Sequence, residues 1–286
     1  MKIGIPLFRL RPTQVAAVAK HAEDLGFESV WVPEHLVLPT HFESSYPYSA
    51  DGSPPIEPGT AHLDPLITLT HIAAATSRIR LGTNIFLLPL RHPLVSARML
   101  MSLDVFSDGR LSLGIGVGWL EEEFRAADVD FRTRGTRTRE CVLALKALWT
   151  QAEPEFHGRF FDFGPLKFEP KPVQKPHPPI LFVGESEVAL RRAAALGDGW
   201  FGVAHEPKSA ARCVEALRAL RAEAGRQDED FEITVGHAGG ALDAAVLRDY
   251  SEAGVDRIVV LPWWRGREAI EKLEELAETV QQALRA

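Results

Sequence analysis

Eight short apolar runs of strand length alternate along this chain with eight amphipathic stretches, and that alternation limits its fold more than any other feature. The runs are Lys2 to Ile5, Ser29 to Val32, Ile79 to Phe86, Leu111 to Val117, Ile180 to Val183, Trp200 to Val203, Phe231 to Val235 and Arg257 to Leu261. Helical spacing of apolar residues marks Thr13 to Leu25, Asp64 to Ala75, Pro93 to Phe106, Arg137 to Trp149, Glu187 to Leu196, Lys208 to Ala224, Ala241 to Ala253 and Arg267 to Leu284. Proline at helix starts (Asp64-Pro65, His92-Pro93) and glycine just past helix ends (Leu25-Gly26, Ala253-Gly254) punctuate the pattern. Strand, helix, strand implies parallel neighbours. An open doubly wound sheet alternates in the same way, but eight regular units in 286 residues fit a closed barrel, which commonly takes about 250 residues. The expectation is an α/β fold, a (β/α)8 TIM barrel formed as one domain over residues 1–286.

Two connections exceed simple loops. Glu34 to His62, rich in Pro, Ser, Tyr and Gly, follows strand two, and Glu153 to Pro179, with a hairpin pattern over Glu155 to Asp162, precedes strand five. Long loops in compact domains are usually functional or mobile. The first leaves a strand's carboxyl end, the face where barrel sites form, so it is expected to be a substrate lid.

Composition narrows the partners. With 45% hydrophobic and 25% charged residues the chain can bury a large core. A net charge of −7 gives no overall attraction to nucleic acid or to anionic membrane. Two cysteines, Cys141 and Cys213, sit in helix-like segments and form neither a disulfide framework nor a metal spacing; both are expected as buried packing residues. Met1 to Pro6 is too short an apolar run for a signal peptide, and no run approaches the roughly 18 apolar residues of a membrane span. A cytoplasmic protein with no membrane partner is expected.

Parallel strands place chemistry at their carboxyl ends, which here end in Thr83, Asn84, Gly116 and Gly118. The turn Val183-Gly184-Glu185-Ser186 precedes a helix and has the form of an anion site, with Gly184 allowing close backbone approach and Ser186 capping. Glu185 opposes that use unless its side chain turns outward. His35, beside Glu34 at the end of strand two, can donate to a cofactor or shuttle a proton, or can simply be a hydrogen-bonded loop residue. Glu34, His35 and His41 lack further ligands at a metal spacing, so no metal is expected. Gly114-Ile115-Gly116-Val117-Gly118 is not a dinucleotide fingerprint, because its glycines alternate and the first strand-to-helix turn has none. No G-x-S-x-G elbow occurs. Trp31, Trp119, Trp200, Trp263 and Trp264 fall at or beyond strands and could wall a ring-shaped ligand or pack the barrel. Arg9, Arg11, Arg91, Arg134, Arg137, Arg265 and Arg267 gather toward the same face, as a receiver for an anionic tail or as a solvated rim.

Taken together, Leu25-Gly26-Phe27-Glu28-Ser29-Val30-Trp31-Val32-Pro33-Glu34-His35, Ser77-Arg78-Ile79-Arg80-Leu81-Gly82-Thr83, Gly114 to Trp119 with Glu122-Glu123-Phe124, Pro170-Lys171-Pro172-Val173-Gln174 and Leu196-Gly197-Asp198-Gly199-Trp200-Phe201 resemble the bacterial luciferase-like flavin and deazaflavin enzymes. The resemblance is to the branch of F420-dependent oxidoreductases and covers nearly the whole chain. It implies a cofactor ring at the barrel mouth, with Glu34 and His35 near its polar edge and His35 as the catalytic residue. It also implies a non-prolyl cis peptide at Asn84-Ile85 behind the ring, Gly116, Val117 and Gly118 beside it, and Gly184, Glu185 and Ser186 at the phosphate. Val183-Gly184-Glu185-Ser186 departs from the Gly-Gly-Asn-Ser type of turn, and Trp119 stands where some relatives carry a glutamate acid. The activity implied is hydride transfer between reduced coenzyme F420 and a small-molecule substrate by a homodimer. The alternatives are a reduced-FMN-dependent monooxygenase and a non-enzymatic flavin-binding or cofactor-free relative.

Overall fold

In the computed structural model, which describes residues 1–285, each apolar run becomes a barrel strand and each amphipathic stretch a helix. In chain order the elements are β1 (Lys2–Pro6), α1 (Val15–Asp24), β2 (Ser29–Val32), α2 (Pro65–Ala75), β3 (Arg80–Thr83), α3 (Pro93–Phe106), β4 (Leu111–Ile115), α4 (Glu121–Ala126) and α5 (Arg134–Thr150). There follow the hairpin β5 (Phe156–His157) and β6 (Asp162–Phe163), then β7 (Ile180–Val183), α6 (Glu187–Leu196), β8 (Gly199–His205), α7 (Pro207–Glu223), β9 (Glu232–His237), α8 (Ala244–Glu252), β10 (Arg257–Val259) and α9 (Ala269–Arg285). β1, β2, β3, β4, β7, β8, β9 and β10 pair in that order, all parallel, and β10 closes on β1 through Lys2 and Arg257. The fold is a TIM barrel with a long insertion after β2 and a hairpin before β7. Among the described residues no helix is long and apolar enough to cross a membrane.

Strand ends differ from the sequence pattern for a physical reason. The apolar runs at Ile79 to Phe86 and Leu111 to Val117 outlast β3 and β4 because Ile85 and Val117 lie beyond the ladder and line the cavity at the mouth. α4 was not expected. Its six residues open with Glu121, Glu122 and Glu123, acidic groups that suit a helix N-terminus but carry no apolar period.

Inside the barrel, Trp31 is fully buried, its Nε1 donates to Ser29 Oγ at 2.9 Å, and Phe201 meets it edge-on at 5.1 Å. Gly82 faces that ring so closely that a Cβ there would lie 2.2 Å from it. The amino-terminal end of the barrel is sealed by Arg257, which is 1% exposed and donates to Glu28, Glu232 and Thr234. On the outer layer, Glu23 of α1 accepts the backbone N–H groups of Ser77, Arg78 and Ile79, tying that helix to the turn before β3. With the base filled, open space is left at the carboxyl ends of the strands.

Candidate active site

A cavity of about 820 Å³ occupies that mouth. Glu34, His35, Asn84, Ile85, Gly116, Val117, Gly118, Gly184, Glu185 and Ser186 all line it, contributed from the loops after β2, β3, β4 and β7. The peptide between Asn84 and Ile85 is cis. Gly116 has no room for a side chain, since a Cβ would lie 2.2 Å from the tip of Ile85, so backbone and isoleucine form a close apolar wall. Thr83 stands apart from this wall: it is fully buried and donates to the Gly114 carbonyl at 2.8 Å, pinning β3 to β4.

The two neighbours at the end of β2 do different work. Glu34 accepts the Leu87 N–H at 2.5 Å and is paired with Arg91, which also approaches Asp64 at 3.6 Å. Burial pushes its carboxyl up against the pull of Arg91 and of the Leu87 N–H. Its two carboxyl oxygens are thus committed to holding the loop after β3. His35 places Nδ1 3.0 Å from Glu123 Oε2, and Glu123 Oε1 accepts the Leu36 N–H at 2.5 Å. His62 and Trp119 stand edge-on to the His35 ring at 5.4 and 5.9 Å. Burial holds His62 below the usual imidazole range.

At the turn after β7, Gly184 has a φ of +125°, open to glycine and not to other residues, and its carbonyl accepts from Trp200 Nε1 at 2.9 Å. Ser186 caps α6 by accepting the Ala189 N–H. The Glu185 carboxylate turns toward β8, where Oε1 accepts from Val203 N at 3.1 Å and pairs with His205 Nε2 at 2.9 Å. Burial raises its carboxyl, but His205 and the Val203 N–H outweigh burial and hold it low. The Glu185 carboxylate is therefore engaged by partners on β8 and not left free at the turn.

The insertion after β2 covers the cavity with Tyr46, Pro47, Tyr48 and Ile56. It is latched by Glu122 of α4, which accepts the Glu43 N–H at 2.6 Å, the Ser44 N–H at 3.0 Å and the Ser44 hydroxyl. Tyr46 and Trp119 meet at 5.2 Å, so lid and barrel join through aromatic contact. Of the arginines gathered in the sequence, Arg91 and Arg137 are occupied by Glu34 and the Pro89 carbonyl. Arg134 lines the cavity, and its Nε is buried with no hydrogen-bond partner. Arg192 is close enough that the Arg134 charge, after burial, lowers its guanidinium further. Trp200 is core, Trp263 is buried and Trp264 is exposed, whereas Trp31 is both buried and part of the cavity lining and Trp119 lines the cavity on the lid side. Cys141 is buried as expected, whereas Cys213 is only half-buried. No group of three or more metal-ligating side chains gathers among the described residues.

In the sequence Glu122 and Glu123 carry only the family resemblance, with no role attached, and Arg192 is not singled out. The partners of the two glutamates lie 78 to 88 positions away, beyond the reach of any local pattern.

An eight-stranded barrel with a cavity at its carboxyl mouth is an architecture on which many enzymes are built. The chain matches the luciferase-like monooxygenase family over residues 7–283 and belongs to it. An uncharacterised protein of Mycobacterium tuberculosis is 32% identical over 272 residues, 92% of this chain and 93% of that one. An FMNH2-dependent dimethylsulfone monooxygenase of Pseudomonas putida is 32% identical over 163 residues, 56% of this chain and 45% of its own. An F420-dependent hydroxymycolic acid dehydrogenase of Mycobacterium tuberculosis is 27% identical over 259 residues, 87% and 66% of the two chains. Among solved structures, a monooxygenase from Streptomyces bottropensis superposes with a TM-score of 0.80 at 23% identity, covering 98% of this chain and 99% of that one. The family thus holds oxidoreductases and monooxygenases that differ in cofactor.

Proposed function

We propose that the chain is an F420-dependent oxidoreductase that moves a hydride between reduced coenzyme F420 and a small organic substrate. The observation that carries this reading is the unpaired Arg134 Nε, buried in the wall of the same cavity that holds the close apolar face at Gly116 and Ile85 and the imidazole of His35. A buried donor without an acceptor is costly, and although Nη1 of the same guanidinium donates to the Phe131 carbonyl, an anionic ligand would supply the acceptor that Nε lacks. Arg134 and the start of α6 at Ser186 would hold the phosphate, Ile85 and Gly116 would back the ring, and His35 would face its polar edge. Bound there, F420 supplies a hydride-carrying carbon where an ordinary flavin has a nitrogen. The chain contributes orientation, a cavity roofed by the lid against water, and a proton site at His35. Glu34 is assigned the support of the loop behind the ring instead of contact with it. The dehydrogenase relative from Mycobacterium tuberculosis supports this cofactor.

A second reading, a reduced-FMN monooxygenase, is favoured by the likeness to the dimethylsulfone monooxygenase. A homodimer in the cytoplasm belongs to the proposal as well, and the exposed Ile67, Val95 and Phe106 on α2 and α3 support the dimer.

Titration with oxidised F420 and, separately, with FMN, followed by tryptophan quenching, tests the assignment. F420 is expected to bind more tightly. Arg134→Met should weaken that binding about 10-fold or more, since a hydrogen bond to a charged group contributes ~1.5–3 kcal/mol. Tighter FMN binding rejects F420 in favour of the second reading, and binding of neither rejects both.

A further inference from the structure

We propose that Glu123 is a positioning residue that fixes the tautomer of His35 and so leaves Nε2 as the proton-carrying atom of the site. The role of that proton rests on the oxidoreductase reading above; the tautomer itself does not.

Glu123 has two neighbours to satisfy. Its side chain is 1% exposed, and its two oxygens face the Leu36 N–H at 2.5 Å and His35 Nδ1 at 3.0 Å. The Leu36 N–H is a fixed donor. A carboxylate has acceptors only, so Nδ1 must bring the hydrogen to the second contact. A neutral imidazole with its hydrogen on Nδ1 keeps the lone pair on Nε2. That nitrogen makes no hydrogen bond to the described protein and is not sealed from solvent, on a side chain that lines the cavity.

The groups packed around the ring do not compete for Nδ1. His62 is edge-on at 5.4 Å, with its own Nδ1 3.1 Å from the Thr60 carbonyl, and Trp119 is edge-on at 5.9 Å. Glu34, next in the chain, is taken by Arg91 and Leu87. His35 therefore has one bound nitrogen and one free one.

For an alcohol and carbonyl pair the balance is complete. On oxidation the hydride would leave the substrate carbon for a bound F420, the O–H bond would break, its electron pair would form the C=O bond, and the proton would pass to Nε2 of His35. On reduction the same proton returns to oxygen. The imidazolium formed in between stands against the Glu123 carboxylate, which stabilises it. This supplies the proton site that Trp119, standing where some relatives carry an acid, does not.

Glu123→Gln separates positioning from folding, because it keeps the volume and offers a single acceptor. Leu36 N–H claims the amide oxygen, the amide NH2 then faces Nδ1, and the ring must shift its hydrogen to Nε2. The experiment is nitrogen NMR of ¹⁵N-histidine-labelled protein without cofactor, with His35→Ala identifying the His35 signals among those of the ten histidines. The expected result is Nδ1–H in the wild type and Nε2–H in Glu123→Gln, with equal urea midpoints. Nε2–H in the wild type, or the same tautomer in both, overturns the proposal, and the wild-type spectrum decides even if the variant folds poorly. Once a turnover assay exists, Glu123→Gln should lower kcat by roughly 10²- to 10⁴-fold with little change in KM, the range seen when such a dyad is given the wrong tautomer. A tautomer switch in a protein that binds no F420 removes the F420-dependent reading and leaves the positioning role intact.

Discussion

Protonation of Glu23 should be measurable as a defined loss of stability. Its side chain is 2% exposed, and Oε2 accepts from Ser77 N at 2.9 Å, Arg78 N at 2.6 Å and Ile79 N at 2.9 Å. Burial pushes the carboxyl up, but the three donors and the Arg78 charge pull it further down, to about 2 from an ordinary 4.5. The folded value lies below the unfolded one. Glu23 therefore contributes stability that is fully present above pH 4.5 and lost as pH falls toward about 2. At ~1.36 kcal/mol per pH unit the whole contribution is about 3 kcal/mol. Glu23→Gln preserves shape and one acceptor while removing the charge, so it mimics the protonated side chain at every pH. Urea unfolding of both proteins is the assay, with the difference in free energy followed from neutral pH downward. At pH about 7 the variant should be less stable by about 3 kcal/mol, equivalent to roughly 6 °C in Tm at this chain size. By pH about 3 more than half of that gap should have closed, because the unfolded carboxyl is already protonated there. Other carboxylates titrate in both proteins and cancel in the difference. A gap that stays constant between those pH values refutes the assignment.

The latch and the barrel core yield two further tests. Burial raises the Glu122 carboxyl, but the Ser44 hydroxyl and the Glu43 and Ser44 N–H groups bring it to about 2, so the closed lid is favoured above the ordinary carboxylate range and loosened in acid. Glu122→Ala should speed limited proteolysis between Glu43 and Tyr48 several-fold at neutral pH, and an unchanged cleavage rate counts against the latch. Gly82→Ala places a Cβ 2.2 to 2.6 Å from ring atoms of the fully buried Trp31, which Ser29 and Phe201 hold in place. Overpacking of this kind costs about 1–3 kcal/mol, read as a lower urea midpoint, and an unchanged midpoint would mean that the ring can yield.

What could be read in advance follows the range of each interaction. The barrel was legible because its signals are local: β-length runs, helical periods, and proline or glycine at the joints, as in Asp64-Pro65 and Leu25-Gly26. The residues around the cavity were legible because strand ends place Asn84, Gly116 and Gly184 at one mouth once the strands are known to be parallel. Glu34 shows where locality fails. Adjacent to His35 in the chain, it reads as part of the same polar edge, yet Arg91, 57 positions on, turns its charge to another task. Glu122 and Glu123 fail in the opposite sense, since a run of acidic residues has the pattern of a solvated surface until the lid and the end of β2 are brought against it. Successive helix residues point about 100° apart. One turn of α4 can therefore hold Ser44 of the lid with Glu122 and His35 with Glu123. Closure of the roof and orientation of the imidazole are thereby referred to the same short helix, and a displacement of α4 reaches both.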